Sequence, residues 1–437
     1  MQLRPGVHRT RAKGCAVRKR IAIPSLMAAV SLITLGGIWA YRGPIVTHFV
    51  DRTLRERGVT ASYTIDHIGL GTQRLTNVRI GDAQAPDLTA REVDLTIDIG
   101  FHGASLTAVH AKGVRANGRW TGERLTLGQV DKLLPADDGE PFSLPDIAVT
   151  LADASMRLDT PWGRVGLAAV GQGNLQRSFA GHVAVRAPIL AQADCHVDAV
   201  QGQLQLAIID GAPRIAGPVG FDALACPSAE MRLANARIGL TAEAMADLSH
   251  WSADARLRSG PAHIAHADVS ESTGEFSVRS GDAQQVEADW QVSALQLGSP
   301  WLAARSLRVD GSGWRKADGG MEATGTIALS NGRAGQDSLR RFDALKAMDS
   351  RTPFGPLANK LGWALTNAGQ NVAVTSRYTL ANRAHGGGMA MAFSDVVASA
   401  QSGARIRLDG DRAIGWNSAA GLSLSTTARI EGGGLPE

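Results

Sequence analysis

The sequence predicts a mainly β protein, an elongated groove-like array of antiparallel strands with an N-terminal transmembrane helix and a short helical insertion. Three observations predict it. Ile21 to Ala40 is a largely apolar stretch without a charged side chain. Beyond it, apolar and polar residues alternate with period two over most of the chain. Between Asp337 and Ala368 the period changes to that of a helix.

The first element is a basic tail, residues 1–20, with Arg4, Arg9, Arg11, Lys13, Arg18, Lys19 and Arg20 and no acidic residue. The positive-inside rule places it in the cytoplasm. Residues 21–40 follow as the transmembrane helix, since twenty residues at about 1.5 Å rise cover roughly 30 Å, the thickness of bilayer hydrocarbon. Trp39 and Tyr41 suit an interfacial anchor. A cleaved signal peptide is the competing reading. Its apolar region would be long for that role, and Ile38-Trp39-Ala40 is a poor small-x-small site. The expected topology is therefore a single pass with the N-terminus cytoplasmic and the bulk of the chain on the opposite side of the membrane.

The formal net charge of +4 and the pI near 9.1 would suggest a polyanionic partner. The seven basic residues of the tail leave 38 basic against 41 acidic residues elsewhere. The excess is thus a topogenic signal, and no nucleic-acid partner is expected.

Residues 41–60 read as a juxtamembrane amphipathic helix, with Ile45, Val46, Phe49, Val50 and Leu54 at helical spacing between Pro44 and Gly58. It lies on the membrane surface or plugs the first end of the β structure, where an edge strand needs cover. The remainder, 61–437, shows no composition break and reads as one periplasmic β-groove domain.

Alternation is clearest in Val93, Leu95, Ile97 and Ile99, interleaved with Asp94, Thr96 and Asp98. It recurs around Leu106, then in Ile147, Val149 and Leu151, in Met156 and Leu158, in Val165 and Leu167, and in Leu204 and Leu206. These apolar positions are the candidate lining of a lipid groove, with Asp94, Thr96 and Asp98 facing water. A closed, dry core would show the same alternation. Asn117-Gly118, Asp210-Gly211, Ser280-Gly281, Asp310-Gly311 and Asn331-Gly332 read as turns between strands.

Over 337–368, Leu339, Phe342, Leu345 and Met348, then Leu357, Leu361 and Ala364, fall at helical spacing. Asp337 reads as the N-cap, and Pro353 and Pro356 divide two helices. They would cover apolar strand surface or act as a lid or docking arm.

Of three cysteines, Cys15 lies in the basic tail, and Cys195 and Cys226 form the candidate disulfide; two buried thiols are the alternative. No metal and no cofactor are expected. His263 and His266 are three apart, which on a strand places them on opposite faces. His385-Gly386-Gly387-Gly388 resembles an esterase oxyanion loop, but no Gly-x-Ser-x-Gly elbow accompanies it. Enzymatic activity is unsupported.

A set of local motifs carries a resemblance. Val59 to Gly81 includes Tyr63-Thr64-Ile65, Ile68-Gly69-Leu70-Gly71 and the run Arg74 to Gly81. Asp131-Lys132-Leu133-Leu134-Pro135, Phe142-Ser143-Leu144-Pro145 and Thr160-Pro161-Trp162-Gly163 follow, with the paired helical insertion. Together they resemble the YdbH-type intermembrane phospholipid transport proteins of the AsmA-like group. The resemblance implies an inner-membrane-anchored β groove that moves glycerophospholipids toward the outer membrane of a Gram-negative cell, with an outer-membrane lipoprotein as a further partner. Family members are usually longer, so the chain is expected to be an N-terminal part. A second class of function is an envelope assembly or scaffold protein, a closed β rod that carries no lipid.

Overall fold

The computed structural model describes residues 52–431 except 53, 70, 101–102, 122–123, 134–142, 248, 282–284, 317, 350, 353, 369, 384–386 and 419–420. The basic tail, the 21–40 span, Cys15 and the start of the juxtamembrane helix lie outside the described residues. No helix among the described residues is long and apolar enough to cross a membrane.

The strands among the described residues all belong to one sheet of 25. The first seven are β1 (Ala61–Ile68), β2 (Thr72–Gly81), β3 (Pro86–Gly100), β4 (Gly103–Lys112), β5 (Arg115–Trp120), β6 (Leu125–Thr126) and β7 (Ala148–Thr160). A run of long hairpins follows: β8 (Gly163–Asn174), β9 (Ser178–Gln192), β10 (Cys195–Ile209), β11 (Ala212–Cys226), β12 (Met231–Ala244) and β13 (Trp251–Ser259). Then come β14 (Ala262–Ile264), β15 (Ala267–Val269), β16 (Glu271–Ser280), β17 (Val286–Gly298), β18 (Leu302–Arg315) and β19 (Met321–Ala334). Two helices, α1 (Gln336–Lys346) and α2 (Gly355–Ala368), interrupt the array. It closes with β20 (Val372–Arg383), β21 (Gly387–Ala400), β22 (Arg405–Asp409), β23 (Ile414–Asn417), β24 (Gly421–Leu424) and β25 (Thr427–Glu431).

Pairing is antiparallel throughout except where β7 lies parallel to β4 and β5. This departs from the expected all-antiparallel array. β4 and β5 together occupy one strand position beside β3. A long connection separates β6 from β7, and a parallel pair requires such a crossover.

That crossing caps the first end. A 3-10 turn at Gly128–Leu133 packs Val130 and Leu133, together with Leu54, on the cluster of Val59, Leu75, Val78, Ile80 and Ala90. Asp131 accepts from the Leu127 N–H at 2.9 Å, and Lys132 Nζ donates to the Gly58 carbonyl at 2.8 Å. Residues 54–56 are helical, so the described remnant of the juxtamembrane helix sits against the sheet end.

Three glycine signals do not mark turns. Asn117-Gly118 lies inside β5, where a Cβ on Gly118 would meet Leu127 and Leu158. Asp310-Gly311 lies inside β18. Asn331-Gly332 is a bulge in β19, with Asn331 at φ 47 and a register shift between Leu329 and Gly332. Asp210-Gly211 does turn β10 into β11. In the helical insertion the N-cap is Gly335, and Asp337 lies in the first turn paired with Arg340. Pro356 is the second residue of α2, where its missing N–H costs nothing, and so it opens that helix and does not separate the pair.

The sheet is thin. Twenty hydrophobic residues are buried among those described, and nine are alanine. The chain exposes 29453 Å2, against roughly 16,000 Å2 for a compact monomer of 45.8 kDa. Crediting the residues outside the described set with extended-chain surface removes roughly 13,000 Å2. The balance still exceeds the roughly 13,500 Å2 of a compact remainder. A single extended layer accounts for both observations.

Candidate functional site: the apolar face of the sheet

Register turns the alternation into a surface. Starting from Ile65, the cross-strand partners run Leu75, Val93, Ala111, Leu151, Gly171 and Gly181. The same row continues through Leu206, Ile215, Ala242, Ala253, Val278 and Ala288. It ends with Gly313, Ala323, Leu380, Met391, Trp416 and Leu422. Nineteen strands therefore contribute one residue each, and none is polar. At about 4.8 Å per strand the row measures roughly 85 Å along the sheet.

A second row runs parallel to it over fifteen strands, from Ala61, Ile80 and Leu88 through Ala116, Met156, Leu167, Val185, Gly202 and Val219. Ile238, Leu257, Gly274, Val292, Val309 and Ile327 complete it before Ser376. Most of these side chains are half-buried, while Trp416 and Leu422 at the far end are exposed. Packing along a row hides each side chain partly; no second sheet is needed for that.

Many of the predicted lining positions stand in register with these rows or beside them. Val93, Leu151 and Leu206 share the first row, and Met156 and Leu167 the second. Leu204 opposes Val183, and Leu95 reaches Val149 through Val109. Leu158 faces Val165, and the buried Ile97 faces Leu106. Ile147 is half-buried and its carbonyl accepts from Leu175 N–H at 3.0 Å. Ile99 pairs with Ala104, its side chain lying outside the described set. On the opposite face Asp94 is half-buried and paired to Arg74 at 2.6 Å, Thr96 is half-buried and Asp98 exposed.

A third row carries the aromatic residues missed by sequence reasoning. Phe276, Trp290, Gly311, Gly325, Tyr378 and Phe393 are successive partners. The two glycines let Trp290 Nε1 donate to Tyr378 Oη at 3.0 Å across β18 and β19. Burial pushes the Tyr378 hydroxyl above the usual phenol range, opposed by the Trp290 hydrogen bond. The signal in the sequence was Asp310-Gly311 within an alternating run, which reads equally as a turn.

Where α1 meets the sheet, a cavity of about 240 Å3 opens between Phe342 and Ser338 on the helix and Leu302, Leu329, Val374 and Ile406. Ser338 Oγ donates to the Trp301 carbonyl at 2.8 Å, and the Arg341 guanidinium lies 4.6 Å from the Trp301 ring centroid. α1 thus leaves an apolar opening beneath it. Cys195 and Cys226, which begin β10 and end β11, are disulfide-bonded.

No group of three or more metal-ligating side chains occurs among the described residues. His263 pairs with Asp268 at 2.7 Å and His266 with Glu230 at 2.9 Å. Such an arrangement can hold apolar ligand along a line.

The model of a family described as YdbH-like, intermembrane phospholipid transport protein YdbH, matches residues 29–431. The chain belongs to the YdbH-like family. No curated protein and no solved structure matches it. YdbH-like proteins form a family of phospholipid transporters and not of enzymes. The extended sheet fits a role in lipid transport.

Proposed function

We propose that the protein is anchored in the inner membrane by residues 21–40 and shelters glycerophospholipid acyl chains along its apolar rows as they cross the periplasm toward the outer membrane. The unbroken nineteen-strand row carries this reading. At about 0.8 kcal/mol per methylene, a 16-carbon chain in water costs on the order of 10 kcal/mol. One polar row position would expose part of that chain, so continuity is the property a conduit needs. An outer-membrane lipoprotein receives the far end.

Family membership supports phospholipid as cargo. The full chain extracted in gentle detergent is expected to carry glycerophospholipid detectable by native mass spectrometry. Val278→Asp, which interrupts the row at its middle, is expected to lower that occupancy severalfold. Protein that is folded yet free of lipid would contradict the reading and favour a scaffold.

A further inference from the structure

The polar face carries an open cavity of about 830 Å3 between β7 and β12. Its lining combines exposed polar side chains with the half-buried Met156, Leu167, Val185 and Val219 of the neighbouring row, and its arginines follow one register row. Arg157 opposes Gly166, which opposes Arg186. Arg186 opposes Gln201, which opposes Gly220 and then Arg237. Arg237 directly faces Arg258 on β13.

We propose that this cavity is a binding site for a phosphate-bearing anion. Its argument is electrostatic. Like charges directly opposite on neighbouring strands destabilise a sheet, and Arg237 and Arg258 stand in that relation. None of Arg157, Arg186, Arg237 and Arg258 has an ion-pair partner among the described residues. Some arginines elsewhere on the sheet do: Arg214 with Glu243 at 3.3 Å, Arg256 with Glu275 at 3.5 Å and Arg279 with Glu287 at 2.8 Å. What distinguishes this row is that Arg157, Arg186 and Arg237, unpaired, line one cavity, with Arg258 beside it.

Geometry points the same way. Arg157 and Arg186 are two strands apart, roughly 10 Å, and Arg186 and Arg237 three, roughly 14 Å. The face is concave here, so side chains rooted at those spacings converge over the floor left open by Gly166 and Gly220. Gln201, Gln203 and Asn235 add amide donors and acceptors, and Asp222 is the one acidic residue of the lining. Guanidinium forks suit phosphate oxygens bidentately, and the amides suit hydroxyls on the group that carries the phosphate. Both a lipid head group and free phosphate have that chemistry.

The test uses the full chain in non-ionic detergent and equilibrium dialysis with two soluble probes, inorganic phosphate and glycerophosphoglycerol, the deacylated head group of phosphatidylglycerol. Arg186→Gln combined with Arg237→Gln is expected to weaken binding at least tenfold. Arg214→Gln, on the same face but outside the cavity, is expected to leave it within twofold. Arg258→Gln alone, which relieves the facing charges, is expected to fold normally and to weaken binding severalfold. Loss confined to glycerophosphoglycerol assigns the site to head groups, and loss of both probes assigns it to the phosphate itself. Failure of the wild-type chain to bind either probe, or equal binding by the double variant, would overturn the proposal. Lipid adducts on the apolar face are expected to be the same in all these proteins, which separates this site from the conduit.

Discussion

At the residue scale, the most constrained positions are those where small side chains admit large neighbours. A Cβ on Gly325 would clash with the Asp310 carbonyl and stand 2.7 Å from Tyr378 Oη, and one on Gly311 would clash with Tyr378 Oη and stand 2.7 Å from the Thr324 carbonyl and 3.0 Å from the Trp290 ring. Gly325→Ala is therefore expected to displace Tyr378 from Trp290 and to destabilise by about 1–3 kcal/mol, read from urea unfolding followed by tryptophan fluorescence. An unchanged midpoint would mean that the aromatic pair does not rest on the glycines. Gln73 is the reverse case. It is 1% exposed, sits in register with Leu95, and neither its amide oxygen nor its nitrogen has a partner. A buried amide left unsatisfied costs about 1–3 kcal/mol, so Gln73→Leu is expected to raise the midpoint by that amount. A lowered midpoint would show that the amide is satisfied in the folded chain. Sequence could not separate these roles, because a glycine after a polar residue looks alike in a turn, in a bulge such as Asn331-Gly332, and beneath an aromatic ring.

Strand positions were legible where one face alone is apolar, as in Val93 to Ile99, since period two reports that directly. The helical insertion was legible for the same reason, by its change of period. Pairing sense was not. Nothing in Ala148 to Leu158 shows that β7 runs parallel to β4 and β5, because parallel and antiparallel neighbours make the same demands on an edge. β21 carries no such signal, since Met389, Met391 and Phe393 alternate with small residues and not with charged ones. At this scale the disulfide has a definite consequence. It joins adjacent strands across a separation of 31 residues. Closing a loop of that size stabilises by roughly 3–4 kcal/mol in the chain-entropy model. Cys195→Ser combined with Cys226→Ser is expected to lower the unfolding midpoint, with the ladder between β10 and β11 still intact by hydrogen exchange. A midpoint indifferent to both reductant and substitution would show that the hairpin alone fixes these strands.

For the molecule as a whole, the distinguishing quantity is how little is buried. A fold of this length that aimed at maximal stability would bury its large apolar side chains, yet here the first row keeps Leu151, Leu206, Ile215, Val278 and Leu380 half-exposed along an unbroken line. Hydrophobic stabilisation is thus left unused over tens of ångströms, and acyl chain is the material whose transfer would recover it. The alternation visible in the sequence indicated the face but not its continuity, which depends on the register of eighteen successive pairings. The direct measurement places a photo-crosslinking residue in turn at Leu151, Leu206, Val278 and Leu380, with Gln205 and Arg279 as neighbours on the other face, and analyses adducts by mass spectrometry in intact cells. Glycerophospholipid adducts at all four row positions and at neither control are the expected result. Absence of adducts from every row position in folded, abundant protein, or equal labelling of both faces, would contradict a lipid-bearing row.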